Sequence, residues 1–307
     1  MSTVTVAGAG VIGTSWAGLL LAHGHTVTVY DIADDAPQRV RDGLARLAPA
    51  LEALGLDLDG ADARLSFTAD LATAVRGADV VQENGPERRA FKREFWAEVE
   101  RHAPRDALLL SSSSGYMASM QSGAMGEPGR LIVGHPFNPP HLVPLVEVVP
   151  SRRTEEALVE RALEYYRGLG KVPIRLHREI PGFVANRLQA VLIRESMSLV
   201  RSGVVTVAEL DDVVTHSLGP RWATAGPFAS FHLGGGPRGF RGYLDQFATG
   251  LQLLWLHSAL RPVVLTPRLK RFLATAVERA VGGRSIPELE QERDRALLRV
   301  RAAVDGD

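Results

Sequence analysis

The chain has 307 residues, of which 45% are hydrophobic, so it is long enough for two domains of ordinary size. Lysine plus arginine and aspartate plus glutamate each number 35, and this balance gives no indication of nucleic acid or an anionic membrane as a partner. The absence of cysteine excludes disulfides, cysteine–zinc sites and a thiol nucleophile.

The first thirty residues have the pattern of one βαβ unit. Val4–Ala7 is a short apolar run, Thr14–His23 can form a helix, and HTVTVYD at 25–31 alternates as a strand does. The N-terminal stretch has no basic region before its apolar residues, and no apolar run reaches about 18 residues. We therefore expect a soluble cytoplasmic protein with no membrane partner.

GAGVIG follows the first predicted strand and begins the helix, the context in which this spacing indicates a dinucleotide site. Gly8 permits the tight turn, and Gly10 lets the backbone approach a pyrophosphate. Gly13 lets the helix and the strand pack closely. Val11 and Ile12 lie at the helix N-terminus, where backbone N–H groups can bind the phosphates.

Asp31 ends the second predicted strand, close to the position expected for a ribose-binding carboxylate. This carboxylate can accept hydrogen bonds from the adenosine ribose and would repel a 2′-phosphate. NAD is therefore the predicted cofactor rather than NADP, and the alternative is a simple glycine turn beside a surface aspartate.

Strands and helical patterns alternate up to about residue 180, which predicts an α/β fold with a mostly parallel sheet and helices on both faces. Ala36–Gly55 has the length of a helical insertion. The further predicted strands are Leu65–Thr68, Ala78–Gln82, Leu108–Ser111, Leu131–His135, Pro144–Val149 and Val172–Arg175.

Pro181-Gly182 is a predicted hinge, because both residue types interrupt regular structure. It separates a predicted Rossmann-type domain at 1–181 from an all-helical domain at 182–307. The glycine-rich segment 232–242 is expected to be a flexible loop. The predicted helices are Phe183–Arg201, Val207–Ser217, Gly242–His257, Pro267–Val281 and Ile286–Val304.

Glu147 is a charged residue within the apolar strand pattern LVPLVEVV. A buried carboxylate is costly unless it is paired, and His135, at the end of the preceding strand, is the predicted partner. A carboxylate on one imidazole nitrogen fixes the tautomer and raises the basicity of the other, which produces a general base. SSSSG at 111–115 and Asn138 add small polar groups at a strand end, where ligands bind in open α/β sheets. The alternative is a structural ion pair.

Together these residues resemble the L-3-hydroxyacyl-CoA dehydrogenase family, in particular the branch that contains lambda-crystallin (L-gulonate 3-dehydrogenase) and carnitine dehydrogenase. The resemblance covers almost the whole chain. It depends on the motifs GAGVIG, QENGPERRAFK, SSSSG, GHPFNPP, PLVEVVP, PGFVANRLQ and GPRWATAGPF. It implies that the helical domain binds substrate and forms a homodimer.

The resemblance also implies a catalytic set. His135 matches the catalytic histidine and Glu147 its carboxylate partner, while Ser114 and Asn186 match donors to the reacting oxygen. For Asn186 a helix cap is the alternative role.

Around the cofactor, the resemblance places Glu87 and Lys92 of PERRAFK in contact with NAD. Ser112 is also assigned to the cofactor site and replaces the asparagine common in the acyl-CoA branch. Asn138 is expected to brace the histidine loop and to lie near the substrate.

Arg221 and Trp222 are the predicted contacts at the far end of the substrate, because arginine suits a carboxylate. A surface pair at a helix end is the alternative. The segment ATGLQLLWLHSALRPVVL is more apolar than a small sugar acid or carnitine requires, which favours a bulkier, flatter or longer β-keto compound.

The predicted function is therefore an NAD(H)-dependent 3-hydroxyacyl or 3-hydroxy acid dehydrogenase that catalyses reversible hydride transfer at carbon 3. Its substrate would be a β-hydroxy or β-keto acid or thioester, and no metal is expected. One alternative is a ketoreductase that acts on a β-keto polyketide intermediate. An alternative of another class is a non-catalytic, crystallin-like structural protein.

Overall fold

An eight-stranded sheet organises the first part of the computed structural model, which describes residues 1–305. Its order is β3-β2-β1-β4-β5-β6-β7-β8, and every neighbouring pair is parallel except β6 and β7. The strands are β1 Thr3–Ala7, β2 Thr26–Tyr30, β3 Leu65–Thr68, β4 Val80–Glu83, β5 Leu108–Ser111, β6 Leu131–Pro136, β7 Leu145–Pro150 and β8 Val172–Arg175. The prediction of a mostly parallel, Rossmann-type sheet is confirmed.

Helices connect these strands. They are α1 Val11–Ala22, α2 Ala36–Glu52, α3 Leu71–Val75, α4 Arg89–His102, α5 Ala118–Gln121 and α6 Glu156–Gly168. The predicted insertion at Ala36–Gly55 is α2, which ends three residues early, before Gly55 adopts a left-handed φ of 73°.

The sheet buries two apolar clusters because successive side chains of a strand point to opposite faces. In β5, Leu108 and Leu110 belong to one cluster and Leu109 to the other. Val80 and Val81 divide in the same way. The sheet is therefore covered on both faces, as expected of a mostly parallel sheet.

The chain divides into two compact units, Met1–Asn186 and Arg187–Asp307, so the boundary predicted after residue 181 lies within the first unit. Among the described residues, all strands lie in the first unit. The remaining helices are α7 Ala185–Arg201, α8 Val207–Val213, a π-helical turn at Val214–Leu218, α9 Gly219–Thr224, α10 Pro227–Gly234, α11 Gly239–Ala259, α12 Pro267–Val281 and α13 Ile286–Asp305. No helix among the described residues is long and apolar enough to cross a bilayer.

Several element boundaries differ from the prediction by a few residues, and two differences have a clear physical reason. The helix expected from Phe183 begins at Ala185, because Gly182 and Phe183 have left-handed φ values of 74° and 50°. The glycine-rich segment 232–242 is mostly helical rather than a flexible loop. A Cβ on Gly235 would lie 1.7 Å from the Gly239 carbonyl oxygen, so glycine here permits close packing of α10 against α11.

Candidate active site

The glycine turn between β1 and α1 is tightly constrained at both ends. The Gly8 N–H donates to the Tyr30 carbonyl at 2.8 Å, and Gly8 has a φ of 105°. A Cβ on Gly13 would lie 1.8 Å from the Gly8 carbonyl oxygen, so only glycine fits there. A Cβ on Gly10 would meet no atom within 4 Å, which leaves open space beside the backbone.

Asp31 connects the end of β2 to this turn. Its Oδ2 accepts from the Ala9 N–H at 2.7 Å and its Oδ1 from the Ala33 N–H at 3.0 Å. The side chain remains 20% exposed, and an Arg39 nitrogen lies 4.0 Å from Oδ1. A cleft beside it is lined by Ile32, Pro37, Phe67, Thr68 and Ala69 among others.

These features fit a dinucleotide. The first turn of α1 has no side-chain cap and no acidic residue, so its N–H groups remain available for phosphate oxygens. The open space at Gly10 is where a pyrophosphate would approach. The exposed edge of Asp31 would receive the ribose hydroxyls.

His135 and Glu147 form a buried pair across the only antiparallel junction of the sheet described in residues 1–305. They are register partners in β6 and β7, and His135 Nδ1 lies 2.9 Å from Glu147 Oε2. Both side chains are almost fully buried. The other carboxylate oxygen, Oε1, accepts from the N–H groups of Val184 at 2.9 Å and Ala185 at 3.0 Å.

These contacts decide the charge on Glu147. Burial alone would raise the pKa of its carboxyl, but the hydrogen bonds from His135 and from the backbone of Ala185 and Val184 outweigh burial and lower the pKa. An ionised carboxylate only accepts hydrogen bonds, so His135 Nδ1 donates and Nε2 is the nitrogen left for a proton transfer. Within residues 1–305, Nε2 makes no hydrogen bond.

Ser114 is held by Glu87. The Ser114 N–H donates to Glu87 Oε1 at 2.7 Å, and its hydroxyl lies at the longer distance of 3.4 Å from the same oxygen. Glu87 Oε2 accepts from the Ser113 hydroxyl at 2.8 Å. Asn186 Nδ2 donates to the Ser114 carbonyl at 3.1 Å, so the contact joins its amide to the serine backbone rather than to the hydroxyl.

Lys92 has a different position from the predicted direct contact with the cofactor. Its side chain is 1% exposed, and its ammonium donates to Glu83 Oε1 at 2.9 Å and to Oε2 at 3.0 Å. The ammonium also lies 3.8 Å from Glu87 Oε2. A lysine this deeply buried needs carboxylate partners, and Glu83 and Glu87 are those partners. Lys92 therefore helps to hold the Glu87 carboxylate in place.

Ser112 also bonds to the protein. Its hydroxyl accepts from Trp16 Nε1 at 3.2 Å and from Gln82 Nε2 at 2.8 Å, and it donates to Asn84 Oδ1 at 2.7 Å. Gln82 in turn accepts from the Tyr166 hydroxyl at 3.0 Å. The Ser112 side chain thus belongs to a polar network behind the glycine turn.

The loop between β6 and β7 is not braced by the Asn138 side chain, which is exposed and makes no hydrogen bond within residues 1–305. Lys171 does so instead, donating to the Pro140 and Val143 carbonyls. Ser15 hydrogen-bonds the His141 N–H at 3.0 Å. The bracing role predicted for Asn138 therefore has no side-chain hydrogen bond to support it within residues 1–305, and the expected position of Asn138 near the substrate stays a prediction.

Arg221 and Trp222 lie in α9 of the second unit, and both side chains are exposed. Their contact with a substrate stays a prediction.

The sequence interpretation missed two residues of this site. Glu83 is fully buried and accepts from Lys92, the Gly85 N–H and the Ser111 hydroxyl. A charge directly after the apolar strand in VVQENGP was the signal for it. Phe183 packs on the His135 ring, and nothing in the sequence pattern indicated that contact.

Comparison with known proteins agrees with this geometry. Residues 3–180 match the family model "3-hydroxyacyl-CoA dehydrogenase, NAD binding domain", and residues 182–269 match "3-hydroxyacyl-CoA dehydrogenase, C-terminal domain".

Similar proteins cover nearly the whole chain. An L-carnitine dehydrogenase of Streptomyces griseus is 45% identical over 98% of this chain and 89% of its own length. One from Pseudomonas sp. is 40% identical over 99% of this chain and 94% of its own length. Among solved structures, an NAD⁺-dependent 5-formyl-3-hydroxy-2-methylpyridine 4-carboxylic acid 5-dehydrogenase aligns with a TM-score of 0.85 and 28% identity, covering 100% of this chain and 99% of that one.

Proposed function

The chain belongs to the 3-hydroxyacyl-CoA dehydrogenase family and is an NAD-dependent oxidoreductase acting on a CH–OH group, and from this premise we propose that His135 and Glu147 catalyse the reversible oxidation of a 3-hydroxy acid. The single observation that supports this is the buried pair across β6 and β7.

His135 is the proposed acid–base. In oxidation its Nε2 takes the proton of the substrate hydroxyl, and in reduction it returns a proton to the developing alkoxide. Glu147 keeps the second proton on Nδ1 and stabilises the imidazolium. General acid–base catalysis of this kind typically contributes about 10²–10⁴-fold to the rate.

Ser114 and Asn186 are the proposed donors to the reacting oxygen. The Asn186 amide has two N–H bonds and uses one for the Ser114 carbonyl, so one remains. The Ser114 hydroxyl makes only a long contact with Glu87 and can turn onto a bound oxygen.

NAD, when bound, supplies or accepts the hydride at substrate carbon 3. The protein would hold it with the glycine turn and the first N–H groups of α1, and Asp31 would orient the ribose. Glu87, which is 43% exposed and supported by Lys92, would lie on the nicotinamide side.

For the substrate we propose a small 3-hydroxy acid, and L-carnitine is the first compound to test because the relatives named above act on it. A flatter or bulkier β-keto compound is the second candidate. The apolar sequence of α11 and the likeness to a dehydrogenase of a pyridine carboxylic acid favour it. Steady-state kinetics with L-carnitine, L-gulonate, an acetoacetyl thioester and a larger β-keto acid would rank the two.

We also propose a two-fold homodimer. Large apolar side chains are exposed on α7 and α11, and soluble monomers rarely expose such faces. They include Leu188, Val191, Leu192, Ile193, Leu253, Leu254, Trp255 and Leu256.

Replacement of His135 by glutamine tests the acid–base role. Turnover should fall by about 10²–10⁴-fold, because glutamine cannot exchange a proton. Binding of NADH, measured by its fluorescence, should persist, because the glycine turn and Asp31 do not depend on His135. Turnover near the wild-type rate would remove His135 from the mechanism.

A further inference from the structure

The His135 imidazole is packed between two aromatic rings. The Phe137 ring centroid lies 4.7 Å from the imidazole centroid at an interplanar angle of 62°. The Phe183 centroid lies at 5.4 Å and 50°. Phe183 is fully buried and belongs to the apolar cluster on one face of the sheet. Its ring is therefore held in place by packing and restricts the movement of the imidazole.

The backbone that places the Phe183 ring is strained. Phe183 has a φ of 50°, the only positive φ of a non-glycine residue in residues 1–305. This left-handed region brings Cβ close to the backbone, and bulky residues rarely occupy it. Such a conformation persists only where surrounding contacts enforce it, and these positions are concentrated at functional sites.

Glu147 supplies the contacts that enforce it. Its Oε1 accepts from the N–H groups of the two residues that follow Phe183, Val184 and Ala185. These are donors at the N-terminus of α7 that have no partner within the helix. A carboxylate is favourable at this end of a helix. The Phe183 N–H closes the preceding turn by donating to the Ile180 carbonyl at 3.1 Å.

We propose that Phe183 is a positioning residue for His135, and that Glu147 orients the imidazole by two routes. The direct route is the hydrogen bond from Nδ1 to Oε2. The indirect route is Oε1, which holds the left-handed backbone that presses the Phe183 ring against the imidazole. The catalytic consequence rests on the acid–base role proposed for His135, whereas the structural consequence does not.

The first experiment tests the strain by comparing alanine with glycine at residue 183 in the NADH-saturated protein. Elsewhere alanine is the more stable residue, since glycine loses more backbone entropy. At a left-handed position the order reverses, so Phe183→Gly should have a higher melting temperature than Phe183→Ala. Phe95 is the matched control, because it lies in the same apolar cluster but within α4, where the alanine variant should be the more stable. The usual order at both positions would overturn the proposal.

The second experiment tests the ring. Phe183→Leu keeps most of the volume but lacks the flat aromatic face, and it should fold even where the smaller side chains do not. Its kcat should fall by about 10–10²-fold because the imidazole is no longer held in line, while KM for NADH should stay near the wild-type value. Phe95→Leu, with a comparable loss of packing, should leave kcat nearly unchanged. Equal losses in the two variants would reduce Phe183 to an ordinary core residue.

A measurement without substrate separates this proposal from the proposed function. Nitrogen NMR of the His135 ring, assigned by its loss in His135→Gln, reports which nitrogen is protonated. Wild-type protein should show one sharp Nδ1–H resonance. Phe183→Leu should keep the proton on Nδ1, because the Glu147 carboxylate still accepts it, but the resonance should broaden because the ring is no longer held in one orientation. If wild-type protein oxidises no 3-hydroxy acid but this change occurs, the function fails and the positioning stands. An Nδ1–H resonance in Phe183→Leu as sharp as in the wild type would contradict the positioning whatever the activity.

Discussion

At the scale of single residues, Glu147 is the group on which most of the chemistry depends. It is buried, yet the hydrogen bond from His135 and the two backbone donors lower the pKa of its carboxyl despite burial. It is therefore an acceptor at both oxygens and leaves Nδ1 of His135 as the donor. One side chain thus fixes the tautomer of the base and ties down the start of α7.

The substitution Glu147→Gln tests this tautomer. The amide oxygen can keep the bonds to Val184 and Ala185, but the amide nitrogen then faces Nδ1 and moves the imidazole proton to Nε2. A protonated Nε2 cannot accept the substrate proton, so kcat should fall by about 10²–10⁴-fold with little loss of NADH affinity. Glu156→Gln is the control, because Glu156 is an exposed glutamate that pairs with Arg175 and makes no contact with His135. Turnover within about twofold of wild type would show that Glu147 does not set the tautomer.

The lowered pKa of Glu147 also predicts how stability depends on pH. Because the pKa is lower in the folded state than the ordinary value of 4.5, the ionised carboxylate stabilises the fold fully above that value. This contribution is lost as pH falls through the lowered folded-state pKa. Denaturant unfolding of wild type and Glu147→Gln should therefore give a difference that is constant near neutral pH and shrinks in acid. A difference that grows on acidification would mean that the carboxyl is protonated in the folded protein.

At the scale of elements, the turn between β1 and α1 contains glycines with two different roles, packing within the protein and access for a ligand. Gly13 is required for packing, because a Cβ would overlap the Gly8 carbonyl. Gly10 is not required by the protein itself, since a Cβ there would meet open space.

Two alanine variants distinguish these uses. Gly10→Ala should melt close to wild type but bind NADH at least about tenfold more weakly, because the methyl group occupies the approach of the pyrophosphate. Gly13→Ala should lose stability as well, because the strand and α1 must move apart. Thermal melting and NADH fluorescence titration measure the two effects. Wild-type NADH affinity in Gly10→Ala would place the phosphates elsewhere.

The glycine-rich segment 232–242 was predicted to be a flexible loop, but it is mostly helical. Glycine permits both flexible loops and close helix contacts, and composition alone does not distinguish them. In the structure Gly235 and Gly242 lie where α10 and α11 approach each other, and a Cβ on Gly242 would lie 2.8 Å from the Gly235 carbonyl oxygen.

At the scale of the whole molecule, the exposed apolar faces of α7 and α11 predict association. Light scattering at micromolar concentration should give about twice the chain mass of 33.2 kDa. Leu254→Arg should shift the protein toward monomer, because a charge buried in an apolar interface is costly. Ile286→Arg, at an equally exposed apolar residue at the start of α13, is the control and should remain dimeric. A monomeric wild-type protein would contradict the homodimer.

The sequence by itself determined the class of the fold, the family and the cofactor. Alternating strands and helices require a mostly parallel sheet, and the glycine spacing with Asp31 requires a turn of defined geometry. It also predicted the pairing of His135 with Glu147, because a carboxylate inside an apolar strand needs a partner. Each of these patterns lies within a short stretch of the chain, so it can be recognised without knowing the fold.

Only the tertiary structure shows which side chains contact each other and which of them are buried. Lys92 and Glu83 lie nine residues apart, and only the folded chain shows that the pair is buried behind Glu87 rather than exposed to a cofactor. The contact of Phe183 with His135 joins residues separated by 48 positions. The N–H groups of the two residues after Phe183 donate to the Glu147 side chain, which lies in β7. Such effects arise from burial and from the direction of individual hydrogen bonds, which the order of residues does not specify.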